Sequence, residues 1–307
     1  MKQIRANGFS IIEIIVVIAI VGVLAAIIVP ALKSARMRAH KVQELSLISQ
    51  SGKAWAMHTT DHQGKLLDGY ISADVQQYRD LAWAFPDESI VPPAPNYEPG
   101  QPNDAGPWPW RLLSYLNNDW RSLLFYKEVE WDDAGDELRD NAAEVATQPA
   151  FGYNGFYLGG WWELDNHSGK PKMIFKSVTL TDGQKECVVA THDAQIKKAN
   201  KQIVFCSTFS AEAGTYGELP NDTDGSHFAI PSILARVEKW RPQIGNTIEV
   251  NSDTFVPLGR FNTMPVICNA DGSATAVEIE TLVDQSLWIP KAKTIGDIPA
   301  SEFSHTQ

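Results

Sequence analysis

What this sequence lacks is most of the apparatus of catalysis. Its seven histidines are scattered, and no His-Glu-x-x-His, Gly-x-Ser-x-Gly or phosphate-cradling glycine-rich loop occurs. The zinc-peptidase, serine-hydrolase and P-loop chemistries therefore have no motif to stand on. The three cysteines, Cys187, Cys206 and Cys268, show no Cys-x-x-Cys spacing, which removes zinc ribbons and thioredoxin-type redox centres. In an oxidising compartment two of them could pair and leave the third free. As buried thiols they suit the interior of strands equally well. No catalytic residue and no cofactor is expected.

Cations are scarce beyond the N-terminus. Residues 1–41 carry Lys2, Arg5, Lys33, Arg36, Arg38 and Lys41 against Glu13, a balance of +5; the whole chain stands at −11, so the remainder carries −16. An acidic body offers no basic face to a phosphate backbone, which argues against nucleic-acid binding. It suits a soluble body held clear of an anionic membrane. At 307 residues the chain is long enough for one large globular domain or two small ones.

The longest absence is of charge itself. Residues 9–32 contain a single charged side chain, Glu13, and Ile, Val, Leu and Ala fill nearly every other position. Such a run leaves no polar stripe for water, and as a helix of about 36 Å it exceeds the ~30 Å core of a bilayer. A secretory signal sets its apolar region ahead of a small-residue cleavage site. Here the small residue, Gly8, comes first, behind a short leader with Lys2 and Arg5. A cut at Gly8 would leave the apolar segment on the mature chain. Gly8, Phe9 and Glu13, with Pro30 near the end of the run, resemble the N-terminal segment of the type IV prepilin family, which includes pilins and the pseudopilins of type II secretion. The resemblance implies cleavage after Gly8 by a prepilin peptidase, N-methylation of Phe9, and assembly into a filament with other copies or related subunits.

Glu13 invites two readings. A lone carboxylate costs roughly 2.5–3.5 kcal/mol at the centre of a membrane helix and less near an end. In the first helical turn it would meet the positive helix terminus at headgroup level. The resemblance implies a sharper role, in which Glu13 pairs with the new amino group of Phe9 on a neighbouring subunit. Two charges that leave water together need each other, so such a contact would be position-specific.

Orientation sets two rules against each other. Four cations follow the span and two precede it, so counting alone would keep the C-terminal side in the cytoplasm. The prepilin-like leader instead must face the cytoplasm for processing. The leader decides, and the expectation is a single-pass inner-membrane protein whose body is periplasmic or extracellular.

Residues 33–57 contain no proline and place Val42, Leu45, Ile48, Trp55 and Met57 near helical spacing. The apolar helix should therefore continue as an amphipathic one of about 50 residues in total, with Gly22 and Pro30 as interruptions. A bend or local melt is expected near residues 26–30. Asp61, Gly64, Asp68 and Gly69 mark its exit. The division expected is a leader over 1–8, a transmembrane or filament-core helix over 9–32, an amphipathic continuation over 33–60 and a globular domain over 61–307.

Within that last part, eight of the 18 prolines fall between Pro86 and Pro109, which predicts a long extended surface loop. Residues 108–116 and 120–126 read as short aromatic-packed helices, and the acidic run 131–137 as a turn before a helix to about Ala146. Residues 151–158, 187–191 and 203–209 read as β. Asp271-Gly272 between 265–270 and 274–279 is the strongest hairpin signal. The fold class expected is α+β: a pilin-like plan with loop-rich and helical insertions, in which an antiparallel sheet packs on the second half of the long helix. The body is also similar to large pseudopilin-like proteins whose sheet ends in a strand, an Asp-Gly turn and a strand. Where some of those carry His ten positions before Asp-Gly, this chain has Phe261.

Other candidates are weaker. His58 and His62, with Asp61, have the spacing of a helical metal pair but no third distant ligand, and a solvated helix end is favoured. Asp222 and Asp224 precede Gly225 as in part of a calcium loop, yet the positions that should supply further carboxylates are Pro220 and Pro231. The acidic run at 131–137 lacks fixed ligand spacing. Trp161-Trp162 could stack on a sugar, although core packing is the favoured role. The alternative to a filament subunit is thus a sugar-binding or enzymatic domain that uses the helix only as a tether.

Overall fold

Helix α1 occupies Ile11–Asp61, 51 residues, in a computed structural model of the chain. The structure describes residues 11–84, 88–91, 106–126, 141–174, 177–179, 185–209, 216–218, 225–229, 247–249, 256–257, 259–261 and 264–290. Two compact units are delimited, Met1–Gln43 and Glu44–Gln307, and α1 runs through the boundary between them. Pro30 lies inside α1, yet the residues on both sides of it keep helical backbone. The expected melt near 26–30 does not occur, because a proline removes one hydrogen bond and the long helix retains the rest.

The C-terminus of α1 is closed by a specific motif. The amide of Gly64 donates to Thr59 O (2.8 Å) and that of Gln63 to Thr60 O (3.1 Å), the paired bonds of a Schellman end. Gln63 takes the left-handed position usually given to glycine, at φ 56°, and Gly64 follows at φ 86°. A side chain at Gly64 would run into His192 and Asp193.

The chain then forms β1 (Tyr70–Ile71), α2 (Ala73–Tyr78), α3 (Trp108–Leu112) and α4 (Ala142–Thr147). The strands that follow are β2 (Phe151–Tyr153), β3 (Trp161–Leu164), β4 (Pro171–Ile174), β5 (Ser177–Thr179), β6 (Lys185–Cys187) and β7 (Ile203–Phe209). Last come β8 (Tyr216–Glu218), β9 (Thr247–Glu249), β10 (Val256–Pro257), β11 (Val266–Asn269) and β12 (Ala274–Ala276). The main sheet is antiparallel and built on β7, which pairs with β2, β10 and β11, while β12 pairs with β11. Together with the long helix this is an α+β fold.

The second part of α1 packs on that sheet along a stripe at helical period: Ile48, Ser51, Gly52, Trp55 and Thr59 are all buried. At Gly52 the helix comes so close to the sheet that an added Cβ would collide with Cys268 Sγ. Further along, Trp55 Nε1 donates to Tyr153 Oη (3.2 Å), which donates to Leu67 O (2.9 Å). One side-chain relay therefore ties the helix, β2 and the chain leaving the helix. Trp108 lies 1 % exposed, its ring 4.8 Å from that of Phe205 and its Nε1 bonded to Phe151 O (3.2 Å).

Several local expectations hold. The hairpin β11–β12 turns at Asp271-Gly272, with Gly272 at φ 83° and Asn269 N donating to Ser273 O (2.9 Å). Residues 108–116 are helical as α3 and a 3₁₀ turn, and Arg121–Leu124 is a 3₁₀ turn. Others shorten. Beyond β2 the strand expected to Leu158 stops because Asn154 turns into the core, where Nδ2 donates to Ile203 O (2.9 Å) and Trp288 O (2.8 Å). After Ala276 the chain leaves the sheet for a 3₁₀ turn at Ile279–Val283. The pair β1–β3 is parallel, Tyr70 opposite Trp161, an arrangement that no periodicity announced.

Arg111 and His227 are two of the ionisable groups buried among the described residues. Arg111 is 6 % exposed and donates to the carbonyls of Asp68 and Gly69. Burial lowers its pKa to about 10, against the pull of Asp68, so it stays charged. His227, also buried, has Nδ1 3.3 Å from Thr147 O, and among the described residues Nε2 has no hydrogen-bond partner. Burial pushes its pKa down to about 3.

Two predictions follow from these contacts. Gly52→Ala, which in an open helix would stabilise, should destabilise the fold by about 1–3 kcal/mol through overpacking. In a Cys268→Ala background the same change should be near neutral, as read by denaturant midpoints of the four variants. For His227, the unfolded side chain titrates near 6.5 and the folded one near 3, so protonation favours the unfolded chain. Stability should fall as pH drops below 6.5, by about 2 kcal/mol at pH 5 from this residue alone. His227→Gln should flatten that slope in thermal melts at pH 5, 6 and 7.

Candidate functional site

The first unit raises the functional question. Between Ile11 and Leu32 fifteen Ile, Val and Leu side chains are exposed, from 49 % at Leu32 to 77 % at Ile11. Covering a large aliphatic side chain stabilises by roughly 1.5–3 kcal/mol, so leaving this set in water forgoes tens of kcal/mol. The helix is long and apolar enough to cross a membrane, and its most apolar window has no buried residue. Amphipathicity cannot explain it, because every face is apolar. Such a segment requires a non-aqueous cover on all sides.

Glu13 sits in the first turn of α1 and is exposed. Its carboxylate is near the helix N-terminus, the end that favours negative charge. Gly8 and Phe9 lie outside the described residues, as do Asp222, Asp224, the acidic run 131–137 and most of the proline-rich stretch.

The remaining candidates are absorbed by packing. His58 and His62 stack at 4.0 Å between ring centroids, and His62 Nδ1 lies 2.7 Å from His58 O. Burial, with His62 next, holds the pKa of His58 down at about 4. Among the described residues no group of three His, Cys, Asp or Glu side chains is arranged to hold a metal ion. Trp161 is buried between Tyr70 and Phe156, with centroids at 4.2 and 5.1 Å. Trp162 carries the Arg79 guanidinium 4.6 Å over its ring and donates Nε1 to Gly159 O (2.9 Å). Arg79 in turn pairs with Asp68 at 2.9 Å. Neither indole presents two open faces to a sugar. Phe261 is a core residue, 6.2 Å from Phe125 between ring centroids.

No disulfide joins the three cysteines in the structure, and the register explains one pair. Ile267 faces Cys206 and Cys268 faces Phe205, so Cys206 and Cys268 project from opposite faces of the sheet. All three cysteines are free. The residues that sequence reading missed, Arg111, His227 and the Gly52–Cys268 contact, carried one signal between them: a glycine inside an otherwise favourable helix marks a close approach.

The apolar span makes a direct prediction. Val21→Arg with Leu24→Arg places two charges at mid-span, each costing about 2.5–3.5 kcal/mol in a membrane. The native chain should stay in the pellet on alkaline extraction of membranes, and the double variant should move to the supernatant.

Comparison with known proteins bears on this same helix. Residues 4–29 match the prokaryotic N-terminal methylation motif. Neither a curated protein nor a solved structure matches the chain. The matched stretch holds Gly8, Phe9 and Glu13 and runs into the exposed apolar helix, so the N-terminal segment is of the prepilin type shared by pilin-like precursors.

Proposed function

We propose that the chain is a structural subunit of a type IV pilus-like filament or a type II secretion pseudopilus. A prepilin peptidase cuts after Gly8, Phe9 becomes the methylated N-terminus, and residues 9–32 pass from the inner membrane into a filament core. The methylation-motif match over residues 4–29 carries this reading. The uncovered apolar helix supplies its physical reason.

The mechanism is mechanical. In the membrane, lipid covers the apolar helix; in the filament, identical or related helices do. Because lipid is as apolar as the side chains, packing and polar pairing decide the exchange. Glu13 is the residue that pairs, its carboxylate meeting the Phe9 amine of a neighbour once both have left water. Residues 33–60 continue the helix toward the acidic domain, which lies on the periplasmic or extracellular side, where it can meet cargo or other subunits. Leader processing fixes that orientation against the count of cations.

Mass spectrometry of the mature chain should find methylated Phe9 as its first residue. An N-terminus still at Met1 would favour the tethered-domain reading instead. Glu13→Ala should leave membrane insertion intact and reduce sheared filament by an order of magnitude or more, since removing one partner of a buried pair costs about 3–5 kcal/mol.

A further inference from the structure

Immediately after the apolar span, α1 carries Lys33, Arg36 and Arg38, all exposed. At about 100° per residue, Arg36 lies about 300° and Arg38 about 140° around the helix from Lys33. No face wider than about 160° therefore lacks a cation. From Ile14 to Gln43 the sequence contains no Asp or Glu, so the helix itself provides no carboxylate at i±3 or i±4 to any of them. Among the described residues none of the three forms an ion pair. Three charges stand together with no counter-charge among the described residues.

Their height along the helix is equally specific. Residues 11–32 span about 33 Å, the thickness of a hydrocarbon core with slight tilt. The backbone of Lys33, Arg36 and Arg38 then lies about 1.5, 6 and 9 Å beyond Leu32, within or at the edge of the headgroup layer. Their long stems reach back along apolar surface and keep the charge at the phosphate level. Ala31, Ser34, Ala35 and Ala39 around them are small and leave those stems room.

We propose that Lys33, Arg36 and Arg38 form a collar that binds anionic phospholipid headgroups at the C-terminal end of the span. The inference rests on the membrane stage of the proposed function. A single protein partner would engage one side of a helix, whereas lipid surrounds it at the membrane stage, and the charges surround it too. The collar thereby provides local attraction to an anionic leaflet in a chain whose residues after Arg38 carry −15. It holds the subunit at a fixed depth until assembly draws it out.

The full-length chain is reconstituted in vesicles of equimolar phosphatidylcholine and phosphatidylglycerol, and the lipids it retains are counted by native mass spectrometry. Phosphatidylglycerol should be enriched roughly fivefold or more over its bulk share, and the enrichment should weaken as salt is raised. The triple variant Lys33→Gln, Arg36→Gln, Arg38→Gln should retain both lipids equally. The matched variant Lys197→Gln, Lys198→Gln, Lys201→Gln, at exposed body positions, should keep the native preference. Equal retention by the native chain overturns the collar, as does a preference that survives the collar variant or is lost equally in the body variant. If the collar variant loses chain-to-chain carbodiimide cross-links while its lipid preference persists, the cations serve a second copy and the proposal falls. A chain that fails to float with vesicles of either composition overturns the membrane reading as well; one that floats without lipid preference overturns the collar alone.

Discussion

One continuous helix has to satisfy two solvents. Its first part exposes aliphatic side chains on every face, which water cannot accommodate at any sequence-determined orientation. Its second part buries a single stripe at helical period against an antiparallel sheet. The change falls where Leu32 gives way to Lys33, and the first buried residue of the helix is Glu44. Between them lies a polar, cationic stretch that belongs to neither environment. The separation into a span, a collar and a docked half follows from side-chain type along one helical backbone.

The docked half is held by contacts of two kinds. Gly52 against Cys268 sets how near the helix lies to the sheet, and the Trp55–Tyr153–Leu67 relay connects the helix to β2 and to its own exit segment. That exit segment is then fixed from the other side. Arg111 reaches the carbonyls of Asp68 and Gly69, while Arg79 and Lys65 meet the Asp68 carboxylate. A buried guanidinium is costly to place, but here its donors satisfy two carbonyls of the segment that leaves α1. The price of the cation is offset by the order it imposes where the chain turns away from α1.

Much of this was legible because it depends on local chemistry. The apolar span, the helical continuation, α3, β7 and the Asp271-Gly272 hairpin each announce themselves through composition, period or turn residues. What escaped depends on contacts distant in sequence. The parallel pairing of β1 with β3 requires knowing that residue 70 meets residue 161, and Asn154 ends its strand to serve carbonyls at 203 and 288. Arg111 lies within the aromatic-packed helix expected over residues 108–116, and no local signal marks it as buried. Its burial became visible only once the helix exit lay over it. The candidate site divides the same way: Glu13 stands out as a lone charge in an apolar run, whereas the isolation and encircling geometry of Lys33, Arg36 and Arg38 emerge only when the helix is continuous.

The thiol at Cys268 acquires a use from its place. It lies beneath α1 at the point of closest approach, and burial raises its pKa to about 12, so an alkylating reagent meets neither an accessible sulfur nor a thiolate while the helix is seated. Its partner strand presents Cys206 to the other face, which keeps those two thiols apart. Trapping kinetics at this one position therefore clock how often the docked half of α1 lifts from its sheet.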